Sequence, residues 1–264
     1  MLIIGMGYTG GHLATRLRAS GWRVTAIRRS AGVDTIAFDD GAAVRHAIAT
    51  ATHILSSVPP EGADDPVLLS YADALASAPA HWIGYLSSTG VYGDTGGAWV
   101  DESAPTGGGR RSARTAADAA WRALRPDMRV FRLPGIYGPG RSALDRVTQG
   151  RAHRIDQPGQ VFSRVHVDDI VSGIIASFGG PAGVYNLADD LPCAQNRVIE
   201  AACDLLGLPH PPLLGLAEAR LSPQARAFHA ENRRVSNGKA RRLLAWAPRY
   251  PTYAEGLRNC LAAQ

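Results

Sequence analysis

Residues 1–11 read Met-Leu-Ile-Ile-Gly-Met-Gly-Tyr-Thr-Gly-Gly, an apolar run passing straight into a glycine-rich turn. Few short patterns restrict a fold as tightly, because each glycine has a separate task. Gly5 permits a tight turn, Gly7 lets the backbone approach a ligand, and Gly10 lets the next helix pack closely on the strand. After the turn, Gly10–Ser20 places Leu13, Ala14 and Leu17 on one helical face, and Gly21 is a suitable stop. A helix beginning at such a turn offers unpaired N–H groups and a partial positive charge, the donors a dinucleotide pyrophosphate needs. The apolar strand before and the amphipathic run after distinguish this from an ordinary glycine loop.

Strand and helix patterns then alternate, which implies a parallel sheet covered on both faces. Strands are expected at Arg23–Ile27, Thr35–Phe38, His53–Val58, His81–Leu86 and Met128–Leu133, with helices at Gly41–Thr50, about Asp64–Ala78 and about Arg110–Leu124. Beyond residue 140 the alternation loosens into short helices (Ser142–Gly150, Asp168–Phe178, Gln195–Leu206), short strands (Val161–Val165, Val184–Leu187) and frequent prolines. The expected fold is α/β, a doubly wound parallel Rossmann sheet with a small C-terminal α/β domain on the substrate side. Residues 1–140 form the dinucleotide-binding domain, 161–187 return to it, and 141–264 are mostly substrate-side.

Composition narrows the function classes. A hydrophobic fraction of 45% supplies a full core. No apolar run reaches the roughly 18 residues of a membrane span. The first strand starts at residue 2, so no secretory leader is expected. Cys193, Cys203 and Cys260 fit neither a disulfide framework nor a zinc site, which points to a reducing, cytoplasmic setting. The net charge of +5 comes from dispersed arginines, Lys239 being the only lysine, so no focused field for nucleic acid arises. No set of residues has metal-ligand spacing.

In a Rossmann unit an acid at the end of the second strand selects NAD through the ribose 2′-hydroxyl. Here that position reads Arg28-Arg29-Ser30, with no acid before Asp34. Forked guanidinium groups and a hydroxyl suit a 2′-phosphate, which favours NADP(H) over NAD(H). The alternative is a solvated strand end in an arginine-rich chain. Asp39 is either an adenine contact or a loop cap.

Six stretches in this order resemble the extended short-chain dehydrogenase/reductase superfamily, within it the NAD-dependent epimerase/dehydratase family. They are the glycine turn, Leu86-Ser87-Ser88-Thr89-Gly90-Val91-Tyr92-Gly93, Asp101-Glu102 with Pro105, Arg132 with Ile136-Tyr137-Gly138-Pro139-Gly140, Val165-His166-Val167-Asp168-Asp169-Ile170, and Tyr185-Asn186-Leu187. The resemblance covers nearly the whole chain. It implies cofactor contacts at Gly5, Gly7, Tyr8, Thr9, Gly10, Arg28, Arg29, Ser30, Asp39, Ser57, Val58, Ser87, Arg114, Leu133, Pro134, Gly135 and Ile136. It also implies a Ser or Thr after the fifth strand, matched by Ser88, and a Tyr-x-x-x-Lys pair on the next helix. That helix reads Arg110-Arg111-Ser112-Ala113-Arg114, which puts Arg110 at the Tyr position and Arg114 at the Lys position. No tyrosine occurs between Tyr92 and Tyr137, so no shift of alignment restores the pair. Arg114 can bind ribose hydroxyls, but a guanidinium does not release its proton in proteins, so it is no proton shuttle.

Another group must then move the proton, and Tyr92 and Tyr137 are the candidates beside Ser88, on loops at the ligand-binding rim. The simpler reading of both is ring packing. Asp94, Asp101 and Glu102 are loop acids, and His166 reads as a core histidine. Asp168 and Asp169 read as N-terminal caps of the following helix. Arg141 faces the expected substrate side. Arg164 lies where it could replace, one pleat away, a diphosphate-binding arginine whose family position is Phe162. Two classes stay open: an enzyme acting on a small carbonyl or hydroxyl substrate, and a catalytically inactive redox sensor or scaffold. The resemblance also implies a homodimer through the helices at about 64–78 and 110–124.

Overall fold

The computed structural model describes residues 1–30, 32, 34–109, 112–219, 221, 226 and 228–264. The chain runs β1 (Leu2–Ile4), α1 (Tyr8–Ala19), β2 (Thr25–Arg28), β3 (Thr35–Ala37), α2 (Gly41–Thr50), β4 (His53–Ser56), α3 (Pro66–Ala76) and β5 (Trp82–Ser88). It continues through β6 (Trp99–Val100), α4 (Ser112–Leu124), β7 (Met128–Leu133), β8 (Gly135–Tyr137), α5 (Ala143–Thr148), β9 (Arg154–Ile155) and β10 (Arg164–His166). It ends with α6 (Val167–Ala176), β11 (Gly183–Asn186), α7 (Gln195–Leu206), β12 (Leu213–Leu214), β13 (Arg234–Val235), α8 (Gly238–Leu244) and α9 (Tyr253–Ala262).

Seven strands form one parallel sheet in the order β11-β7-β5-β4-β1-β2-β3. Chain direction across the sheet reverses between β1 and β4, and ligands of open α/β sheets bind in the crevice at that point. Strands buried on both faces read as continuous apolar runs, and β1 is buried throughout. One face is covered by α1 and α6, whose Leu13, Leu17, Ile170 and Ile174 pack with Ile3, Trp82 and Phe131. Leu244 of α8 and Trp246 join that same core. The other face is covered by α2, α3 and α4 through Val44, Ile48, Val67, Leu75 and Trp121.

Local chemistry sets where these helices begin. Asp40 accepts the Ala43 N–H at the start of α2, and Asp65 accepts those of Val67 and Leu68 before Pro66 opens α3. Reciprocal capping boxes, Ser142 with Asp145 and Thr252 with Glu255, start α5 and α9. A separate apolar cluster of Leu144, Val198, Ala202, Leu257 and Cys260 holds α5, α7 and α9 beside the sheet. Three two-stranded pairs, β10-β8, β12-β9 and β13-β6, stitch the later segments to the loops above the carboxyl ends of the strands. Among the described residues no helix is long and apolar enough to cross a membrane.

Candidate cofactor and substrate site

The glycine turn sits at the topological switch point and is built for close approach. Gly5 has φ +85°, and a Cβ there would lie 2.6 Å from Val58 Cγ2. A Cβ at Gly10 would press on Ile3 Cγ2 at 3.2 Å, so α1 lies close against β1. Gly7 is different, because a Cβ there would meet nothing within 4 Å. Gly7 is also the N-cap of α1, and no side chain caps that end. The Gly11 N–H closes the first helical bond on the Gly7 carbonyl at 2.8 Å, which leaves the first-turn N–H groups of Tyr8, Thr9 and Gly10 directed outward. Ser57 at the end of β4 anchors the turn by donating to the Gly5 carbonyl, and its own N–H donates to Ile4 at 2.9 Å. An uncapped helix end beside an open glycine fits a pyrophosphate.

The side chain of Tyr8 points elsewhere. Its hydroxyl donates to the Pro139 carbonyl at 2.9 Å, and the Arg141 guanidinium lies 5.4 Å above its ring. Arg28, Arg29 and Ser30 are exposed at the end of β2, and Arg28 Nη2 donates to the Met6 carbonyl at 3.2 Å. A cation therefore arches over the glycine turn. Asp39 is exposed after β3, while the cap of α2 is its neighbour Asp40.

At the ends of β5 and β7 the polar groups are occupied by one another. Arg132, 1% exposed, makes a forked pair with Asp118, Nε to Oδ2 at 3.0 Å and Nη2 to Oδ1 at 2.8 Å. Ser87 donates to the same carboxylate at 2.6 Å. Arg132 Nη1 donates to the Tyr92 hydroxyl at 3.1 Å, and that hydroxyl donates to Asn186 Oδ1 at 2.8 Å. The Arg132 guanidinium also lies 4.9 Å from the Tyr92 ring centroid. Burial pushes the Tyr92 pKa up, against the pull of Arg132.

This geometry corrects three expectations. Tyr92 is a member of a buried network rather than a free proton donor. Tyr137 faces α9: its ring lies against Gly256, where a Cβ would approach the ring within 2.6 Å, and burial pushes its pKa well above the ordinary phenol value. Ser87 donates its hydroxyl proton to Asp118, which leaves only its oxygen lone pairs for a ligand donor. Ser88 is placed differently. Its Oγ accepts the Gly90 N–H at 3.1 Å, which leaves the hydroxyl proton for another acceptor. Arg114 lies on the α4 face near the Tyr85 hydroxyl and opposes the upward shift that burial gives that phenol. Arg110 lies outside the described residues.

A pocket opens beside Ser88, lined by Leu133, Pro134 and Gly135 on one side and by Phe162, Ser163 and Arg233 on the other. Ile136 lies just beyond, in β8, which pairs with β10. The remaining acids and the histidine are structural. Asp94 accepts the N–H groups of Gly96 and Asn232, Asp101 that of Ser103, and Glu102 that of Asn186 at 2.6 Å. His166, fully buried with its pKa pushed down to about 4 by burial, itself caps α6 by accepting the Asp168 N–H at 3.2 Å. The capping role expected of Asp168 and Asp169 is therefore corrected. Asp169 instead accepts the backbone N–H groups of Arg249 and Tyr250 and pins the C-terminal segment. Arg164, 6% exposed, donates to the Phe162 and Cys193 carbonyls and to Gln195, and is not a pocket residue.

Sequence reasoning missed Glu231 and Arg233. They lie in the last third of the chain, and the parallel β13-β6 pair carries them back to the rim at the end of β5. No local motif marks them. Among the described residues no group of three or more His, Cys, Asp or Glu side chains could hold a metal ion.

An open glycine turn at the switch point of a parallel sheet, with a pocket at the carboxyl ends of β5 and β7, defines a dinucleotide-binding α/β protein. No family model matches the chain. A functionally unknown conserved protein from Silicibacter pomeroyi DSS is 38% identical, with TM-score 0.89 over 99% of this chain and 97% of that one. A putative NAD-dependent epimerase/dehydratase from Methylobacillus flagellatus is 27% identical, with TM-score 0.74 over 99% and 97%. The human epimerase family protein SDR39U1 (isoform 2), solved with NADPH, shares the fold at 18% identity and TM-score 0.78 over the full length of both chains. The chain shares the fold of these epimerase/dehydratase-type proteins.

Proposed function

We propose that the chain binds NADP(H) in preference to NAD(H) and acts as an oxidoreductase on small carbonyl or hydroxyl compounds beside Ser88. The observation that carries the cofactor reading is Arg28 lying over an uncapped, open glycine turn, with Arg29 and Ser30 exposed next to it. Two guanidinium groups there match a ribose 2′-phosphate and leave no carboxylate to favour a 2′-hydroxyl. Structures of the same fold have been solved with NADPH and with NAD, so the choice between them rests on Arg28, Arg29 and Ser30.

A dinucleotide held at Gly5, Gly7 and the first turn of α1 would supply or accept a hydride at its nicotinamide. The chain's own contribution is positional. Leu133, Pro134 and Gly135 would back a nicotinamide ring, and the Ser88 hydroxyl would donate to the substrate oxygen. Neither Tyr92 nor Tyr137 reaches that oxygen, so the proton comes from water in the pocket. Without a general acid, turnover falls by about 10²–10⁴-fold relative to an enzyme that has one. That same feature supports a second reading, a nucleotide sensor that holds the cofactor without turnover.

Calorimetric titration with NADPH, NADP, NADH and NAD tests the cofactor reading, and absence of binding by all four refutes both readings. Single-turnover oxidation of bound NADPH by a panel of carbonyl compounds separates them. A slow reaction that Ser88→Ala lowers at least about tenfold supports the enzyme. No oxidation by any member supports the sensor.

A further inference from the structure

The wall of the pocket opposite the cofactor has a composition that selects among substrates. Phe162 and Phe228 stack face to face, with centroids 4.4 Å apart and planes within 6°, and His229 meets the Phe162 ring edge-on. Phe162 is buried, whereas Phe228 is 41% exposed and leaves ring surface open to a second planar group. Beside this wall Arg233 Nη1 pairs with Glu231 Oε2 at 2.8 Å and donates to the Gly93 carbonyl at 2.6 Å. Both side chains are largely buried, 16% and 8% exposed. The Ser163 hydroxyl accepts the Val235 N–H and holds β13 in place.

Three consequences follow for a ligand. A flat apolar face gains from stacking on the aromatic wall. Arg233 already directs its charge at Glu231 and the Gly93 carbonyl, so this wall suits a neutral polar edge better than an anion. The pocket is a partly open cleft of about 110 Å³, so a bound ring lies against the wall with its outer edge toward solvent. Among the described lining residues Arg233 is the single basic group and it is already paired, while Arg164 is tied to the Phe162 and Cys193 carbonyls and is not itself a lining residue. Among the described lining residues a diphosphate finds no unpaired counter-charge.

We propose that this pocket takes an uncharged, planar aromatic carbonyl compound, its ring on the Phe162–Phe228 wall and its polar edge on the Arg233–Glu231 pair, rather than a nucleotide sugar. The inference rests on the reading that the nicotinamide lies against Leu133–Gly135, which leaves the carbonyl carbon between that ring and Ser88.

The test is calorimetric titration of the full chain, with and without saturating NADP, by 3-hydroxyacetophenone, benzoate and UDP-glucose. Binding of 3-hydroxyacetophenone at least about tenfold tighter than benzoate and UDP-glucose is expected. Phe228→Ala weakens it about fivefold to tenfold and leaves NADP affinity unchanged. Glu231→Gln releases the charge of Arg233 and reverses the preference toward benzoate. UDP-glucose or benzoate binding as tightly as the ketone to the unaltered chain overturns the proposal, as does an unchanged ketone affinity in Phe228→Ala. If NADP does not bind, the cofactor reading fails, and the titrations without NADP decide the pocket on their own.

Discussion

The end of β1 and the ends of β5 and β7 lie on the same rim and treat polar groups in opposite ways. At β1 the turn leaves N–H donors unpaired, the helix uncapped and Gly7 open. At the ends of β5 and β7 the polar side chains engage one another: Ser87, Asp118, Arg132, Tyr92 and Asn186 form one connected chain of hydrogen bonds. Buried polar groups that satisfy one another hold a structure together. Polar groups left open at a crevice are available to a ligand. The contrast separates cofactor binding from scaffolding without reference to residue type, and Tyr92 belongs to the scaffold.

The largest effect expected of this division is on stability. Arg132→Ala strands the buried Asp118 carboxylate and costs about 3–5 kcal/mol, read as a lower midpoint in urea unfolding. A loss below about 1 kcal/mol breaks the scaffold half of the comparison. At the open end the reverse holds. Gly7→Val leaves urea unfolding within about 0.5 kcal/mol, since nothing lies near the new side chain, yet lowers dinucleotide affinity at least about 100-fold.

A buried acid elsewhere is poorly satisfied. Asp189, 2% exposed, makes no well-formed hydrogen bond through either carboxylate oxygen among the described residues, and burial pushes its pKa up to about 8, against the pull of Arg164 and of the Leu191 and Arg164 backbone N–H groups. A raised carboxyl pKa means the folded state holds a proton that the unfolded chain releases near pH 4. Stability is then full below about pH 4 and declines as pH rises toward 8, by about 1 kcal/mol per pH unit. Asp189→Asn removes that slope. Equal pH profiles for the two proteins, in urea unfolding between pH 5 and 7, show the site to be satisfied. The smallest effect is expected at the surface: Arg28→Ala lowers NADPH affinity about tenfold and leaves NADH affinity unchanged, measured by calorimetry.

How much of this was legible in the sequence follows from the range of the interactions. The helix at Gly41–Thr50, the strand at Met128–Leu133 and the helix at Gln195–Leu206 fall where periodicity places them, because local pattern and burial agree. The strand expected at Arg23–Ile27 lies at Thr25–Arg28, since pairing with Leu2 begins at Thr25. The two-residue strands β6, β9, β12 and β13 have no period to read and exist only through partners far along the chain. Helix α9 did carry a signal, the Thr252-x-x-Glu255 box. The glycine turn was legible because strand, turn and helix are contiguous. The hydroxyl directions of Tyr92 and Tyr137 were not, since partners 94 and 115 residues away set them.

Helix α4 has its anchorage and its chemistry on different turns. Asp118 and Trp121 fasten it, through the Arg132 pair and through the indole N–H donated to Asp65 at 2.8 Å, while Arg114 stands one turn earlier and is only partly buried. A helix arranged in this way can have its leading turn rewritten without loosening its seat. In evolutionary terms α4 is a module open to drift, and in engineering terms it is a place where a new proton donor can be installed on an intact frame.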